Sequence, residues 1–232
     1  MAREEREQVD FLKFHDGQIV QKIASARTET DKIKLFTPGP DDRFKEFYAI
    51  AYGSVSGYLV NMYLKQNESE GKSWSTWNFK FEEEDGSVFI LSASSGSKTA
   101  NSMLAQLFTV DFNNLIKVSA WKMDGFPGVT ISQRIEGEWH KAGNQWKETK
   151  KVGENKWESK AINGMPPFPA DYKNLSENKK TIFKAQVNDF IETETKTKLI
   201  PRLDSTRPVV SPTGEVLAEP VGVAATEADL PF

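Results

Sequence analysis

The sequence predicts a mostly-β protein, a small five-stranded barrel with accessory helices, followed by an acidic tail. Three observations point there. Between residues 54 and 135, apolar and polar residues alternate with the period of two that a half-buried strand requires. The period changes to that of a helix once in this stretch. From Pro201 to Phe232 neither period holds, and that segment carries five of the 11 prolines and no aromatic residue but the last.

Each element follows from a local pattern. DGQIVQKI (Asp16 to Ile23) and DKIKLF (Asp31 to Phe36) read as an N-terminal hairpin, ended by TPGPDD. In FYAIAYGSVSGYLVNMYLKQN, Tyr58, Val60, Met62 and Leu64 alternate with Leu59, Asn61, Tyr63 and Lys65. After the NESEGK loop, WSTWNFKFEEE places Trp77, Phe79 and Phe81 on one face and Trp74, Thr76, Asn78 and Lys80 on the other. EDG is a hairpin turn and SVFILSAS the returning strand. Ser97 then caps a helix whose Ala100, Met103, Leu104, Leu107 and Phe108 form one apolar stripe. LIKVSAWKM (Leu115 to Met123) and VTISQRI (Val129 to Ile135) are strands about a DGFPG turn. Glu138 to Lys160 reads as an extra hairpin carrying Trp139, Trp146 and Trp157. Ser176 caps a last helix with Phe183, Val187, Phe190 and Ile191 on one face.

Three strands, a helix and two strands is the order of the OB-fold, a five-stranded barrel with its helix between strands three and four. A ferredoxin-like domain needs two helices, and an immunoglobulin-like sandwich about seven strands. The expected organisation is an OB-fold domain over residues 1–200, with the hairpins and the last helix attached, and a disordered tail over 201–232.

Composition narrows the function. The chain has no cysteine, which removes disulfides, thiolate metal sites and cysteine nucleophiles. Only His15 and His140 are present, with no HExxH, no phosphate-cradling glycine loop and no GxSxG elbow. FEEEDG reads as a solvated turn rather than a metal cluster. The expectation is a binding protein, not an enzyme, with no cofactor and no metal. The charged start MAREEREQVDFLKF and the absence of a long apolar run suggest a cytoplasmic protein without leader or membrane span.

The net charge is −3, but it is unevenly spread. From Asp204 onward five acids face Arg207 alone, a net −4, which leaves the rest of the chain at +1. A mildly basic body with aromatics between its lysines suits single-stranded nucleic acid, whose bases stack on rings and whose phosphates seek Lys and Arg. The candidates are Tyr63 with Lys65, Trp74 with Lys80, Lys117 with Trp121, Arg134 on the last strand, and Lys98 at the helix start. Trp77, Phe79 and Phe81 are expected in the core. Trp139, Trp146 and Trp157 fit hairpin packing as well as binding.

The tail finishes in EADLPF. Asp229, Leu230, Pro231 and Phe232 resemble the acidic D-x-P-F tip of bacterial and bacteriophage single-stranded-DNA-binding proteins, with Leu before Pro and with sparser acids than the bacterial tip. The body from GYLVNMYLKQN through VTISQRI is similar to phage-type domains of that family in pattern. The resemblance implies a barrel that coats single-stranded DNA and a tail that recruits replication, recombination and repair proteins, and it is compatible with a homo-oligomer. The alternatives at this point are an OB-fold module for RNA or for a protein in transcription, a virion or scaffold component, and a strand-annealing protein.

Overall fold

The computed structural model describes residues 9–36, 44–69, 71–154 and 157–206. Ten strands hydrogen-bond in one sheet: β1 (Val9–His15), β2 (Gln18–Ile23), β3 (Lys32–Phe36), β4 (Phe44–Tyr52), β5 (Ser54–Ser69), β6 (Lys72–Glu82), β7 (Val88–Ser94), β8 (Ile116–Met123), β9 (Phe126–Ile135) and β10 (Glu138–Lys141). Their spatial order is β10-β9-β8-β5-β6-β7-β1-β2-β4-β3. A separate two-stranded ribbon is made by β11 (Lys147–Lys151) and β12 (Trp157–Ala161). The helices are α1 (Lys98–Leu107), α2 (Glu177–Glu194) and α3 (Ile200–Ser205).

The expected run of three strands, a helix and two strands is present as β5, β6, β7, α1, β8 and β9, with β8 returning antiparallel to β5. The expected closed five-stranded barrel is corrected to an open sheet. Two local features accompany the open arrangement. β1 takes the free edge of β7 in a parallel pairing from Val9↔Val88 to Lys13↔Ser92. On β9 the carboxamide of Gln106, from α1, serves the stretch from Val129 to Ile131 that β10 does not reach. Its Oε1 accepts the Ile131 N–H at 2.9 Å and its Nε2 donates to the Val129 carbonyl at 3.2 Å. A buried backbone edge is thereby satisfied without a strand.

The N-terminal hairpin also differs from expectation. Asp16 and Gly17 are not the start of a strand but its turn, with φ of 47° and 81°. Two successive residues of positive φ make the two-residue hairpin turn that matches strand twist. β2 therefore pairs with β1 and β4, and β3 pairs with β4. The turn packs on β8: a Cβ at Gly17 would lie 2.9 Å from the Trp121 carbonyl, and Lys122 Nζ meets Asp16 Oδ1 at 2.5 Å.

A bulge between Leu59 and Asn61 re-phases β5. Leu59 and Met62 both point inward, so the simple alternation read across Tyr58 to Lys65 breaks there. Inward residues of β5 to β9 pack on α1, whose Ala100, Met103, Leu104 and Leu107 are fully buried. Each such leucine contributes about 1.5–3 kcal/mol. The Ser97 hydroxyl caps the helix by accepting the Ala100 N–H at 3.1 Å. On α2, Phe183 and Ile191 are buried, with Val187 and Phe190 packed beside them. The expected long hairpin after Ile135 is in fact β10, which pairs with β9, and the separate ribbon.

The body runs past residue 200, where the tail was expected to begin. Pro201 lacks a donor and crowds the preceding turn, so a stop was reasonable. Instead a wide π-turn over Thr195–Leu199 absorbs the proline, and the Ile200 N–H reaches back to the Thr195 carbonyl. Arg202 then donates to the carbonyls of Phe108 and Leu107 at 2.6 and 2.7 Å, and Leu203 is buried. No helix among the described residues is long and apolar enough to cross a membrane.

Candidate nucleic-acid interface

Strand parity decides which aromatics are available. On β6, Trp77, Phe79 and Phe81 are buried against the core, as their alternation predicts. Trp74, Thr76, Asn78 and Lys80 take the opposite face. The register sets Asn67 opposite Trp74, Lys65 opposite Thr76, Tyr63 opposite Asn78 and Asn61 opposite Lys80. Tyr63, Lys65, Trp74 and Lys80 thus share the outer face, with Tyr63 39% and Trp74 47% exposed. Polar cross-strand bonds hold this surface: Asn67 donates to Thr76 Oγ1 at 3.1 Å, and Ser92 Oγ donates to Asn78 Oδ1 at 2.7 Å.

The same face continues across β5. Ile116 and Val118 are buried, so Lys117, Ser119 and Trp121 point outward, and Lys117 sits opposite Ser56 on β5 and Ser132 on β9. Arg134 is opposite Trp139, and Lys141 is opposite Ser132. Lys117, Trp121 and Arg134 are therefore brought onto one surface, along with Trp139, whose part in it the sequence left open. Lys117 Nζ stands 4.3 Å from the Trp139 ring centroid. Arg134 is engaged at 3.6 Å by Glu84 of the β6–β7 turn, and Glu82 is the acid of β6 on this face.

Trp121 is held flat. Its Nε1 donates to Thr130 Oγ1 at 3.1 Å, and its ring covers Gly128, where a Cβ would come within 2.2 Å of the indole. One face of the indole rests on backbone and the residue remains 42% exposed. A glycine opposite a tryptophan is what permits this posture.

Lys98 does not join the sheet face. It opens α1, with Nζ 5.8 Å from the centroid of Phe126 at the start of β9. Trp146 is buried between Phe108 and Phe190, at 4.9 and 5.9 Å, and is a packing residue. Residues that the sequence reading missed are Phe11 and Lys13 of β1, which extend the outer face beyond β7 through Ile90 and Ser92. Lys13 lies 4.5 Å from the Phe47 ring, and burial, with the nearby Lys22, lowers its pKa. The alternation of VDFLKFH was a usable signal for them. Asp229, Leu230, Pro231 and Phe232 lie outside the described residues.

The arrangement offers rings for stacking and amines for phosphates. Among the described residues no group of three or more His, Asp or Glu is placed to hold a metal ion. No family model matches this chain, and no curated protein or solved structure does either.

Proposed function

We propose that this protein binds single-stranded DNA without regard to sequence and protects it during replication, recombination and repair, in the cytoplasm of its host. One observation carries the reading. Tyr63, Trp74, Trp121 and Trp139 lie on the outer face of the sheet with Lys65, Lys80, Lys117 and Arg134, while an equal wealth of aromatics is spent on the core side. Aromatic rings grouped on one exposed face mark an interaction surface, where scattered single ones would not. Bases supply π-faces of every sequence, and stacking contributes about 1–3 kcal/mol each. The order β5-β6-β7-α1-β8-β9 supports an OB-type frame, opened here into a longer sheet by β1 and β10.

The last residues serve recruitment in this reading. Phe232 enters an apolar pocket on a partner protein while its α-carboxylate meets a basic side chain, and Pro231 limits the ordering cost. Catalysis has no part in this activity, and neither does a cofactor. Equilibrium binding of oligo(dT), read by intrinsic Trp fluorescence, tests the proposal.

A further inference from the structure

The ribbon sorts its charges by face. The register pairs Lys147 with Ala161 and Thr149 with Ser159, with Lys151 two residues on, so one face reads Lys, Thr, Lys against Ala and Ser, without a carboxylate. The other face pairs Glu148 with Lys160 and Lys150 with Glu158. There opposite charges stand directly across from each other, and Lys150 Nζ also meets Glu148 Oε1 at 3.1 Å. The sequence KETKK against WESKA produces this sorting through strand parity alone. A face whose charges cancel is an ordinary solvated surface. A face with lysines and hydroxyls but no acid is complementary to an anion.

The acid-free face also opens onto a channel. Lys147, Ser159 and Ala161 of this face line it together with Lys160, Met165 and Phe168, around about 520 Å³. Phe168 is 68% exposed, yet its ring is braced by Tyr172 at 4.9 Å and Phe183 at 5.0 Å. None of the residues around the channel is acidic. An exposed ring held by two others beside uncancelled lysines repeats the chemistry of the sheet face.

We infer that the Lys147–Thr149–Lys151 face of the ribbon is a second contact for single-stranded nucleic acid, with the amines on phosphates and Phe168 against a base. This rests on the sheet face being a single-strand binder and extends the bound strand beyond it. The ribbon lies outside the ten-stranded sheet, so its contribution is separable.

The test is the salt dependence of affinity for an oligo(dT) of about 35 nucleotides, longer than the ~4–16 nucleotides one OB-type face covers. Each phosphate neutralised contributes a slope of about −0.7 in log K against log salt. K147Q/K151Q should reduce the slope by about 1.4. K150Q, on the balanced face, should leave it unchanged, and F168A should weaken binding with the slope retained. All are surface changes, and matched thermal unfolding confirms that each variant is folded. Wild type that binds, with equal slopes in wild type and K147Q/K151Q, overturns this inference alone and leaves the ribbon face to a protein partner. An equal loss in K150Q overturns it as well, because the effect is then bulk charge. Wild type that does not bind oligo(dT) overturns the sheet-face reading, and this one with it.

Discussion

Lys117 and Trp139 face each other across the outer surface of the sheet, with the Lys117 ammonium 4.3 Å from the indole centroid. They come from β8 and β10, with β9 between them. The cation therefore rests over a ring that stays 38% exposed. A DNA strand offers each partner something better, a phosphate for the amine and a base for the indole. We predict that Trp139→Ala weakens oligo(dT) binding by about 1–3 kcal/mol. Isothermal titration on the variant and wild type measures it, and equal affinities would place the track elsewhere on the sheet.

Trp121 gives a sharper test, because its posture depends on Gly128. Trp121→Ala and Trp74→Ala should each cost about 1–3 kcal/mol of binding. Gly128→Ala leaves the indole in place chemically but forces it off the strand, since the new Cβ would lie 2.2 Å from the ring. That variant should lose affinity while keeping its Trp count. Retained affinity in Gly128→Ala would show that the flat posture is irrelevant to binding.

Gln106 separates fold from function. Removing its carboxamide leaves the Ile131 N–H and the Val129 carbonyl buried without their partner. Gln106→Ala should lower unfolding free energy by about 1–3 kcal/mol for each group left unpaired. Urea denaturation reads the loss, and DNA affinity of the folded protein should stay near wild type. An unchanged urea midpoint would mean that water or a backbone shift replaces the carboxamide.

Much of this arrangement was legible in the sequence. The alternation in WSTWNFKF separated the core rings Trp77, Phe79 and Phe81 from the outward Trp74 and Lys80, because side chains on a strand have no other choice. The helix stripe from Ala100 to Leu107 was equally forced. What the sequence hid was non-local. Asp16-Gly17 is a turn in one register and a strand start in another, and only pairing with β7 and β4 decides between them. A glutamine that completes a sheet edge looks, in sequence, like any polar residue on a helix. Pro201 argued for a boundary that Arg202, bonded to the end of α1, overrides. Trp139, Trp146 and Trp157 could not be sorted from spacing, since a break in the hairpin put Trp146 in the core and Trp139 on the face.

The acidic tail predicts a dissociation of two activities. Deleting Ala228 to Phe232 removes two aliphatic residues, one acid, a proline and the terminal aromatic. DNA affinity should be unchanged, or slightly higher at low salt, because an anionic segment of the same chain competes with phosphates for its amines. Capture of replication or repair enzymes from the host should be lost. Partner capture that survives the deletion, or DNA binding that collapses, would make the resemblance at this end accidental.

Stacking of single strands on the outer aromatic face can be read in one titration. Intrinsic Trp fluorescence is followed as oligo(dT) is added, at several salt concentrations and with oligo(U) as the comparison. Stacking predicts saturable quenching, affinity that falls with salt by a slope of about −0.7 per phosphate, and a much smaller signal in the Trp74→Ala/Trp121→Ala double variant. Fluorescence that does not respond to oligo(dT), or quenching of full amplitude in the double variant, would contradict it.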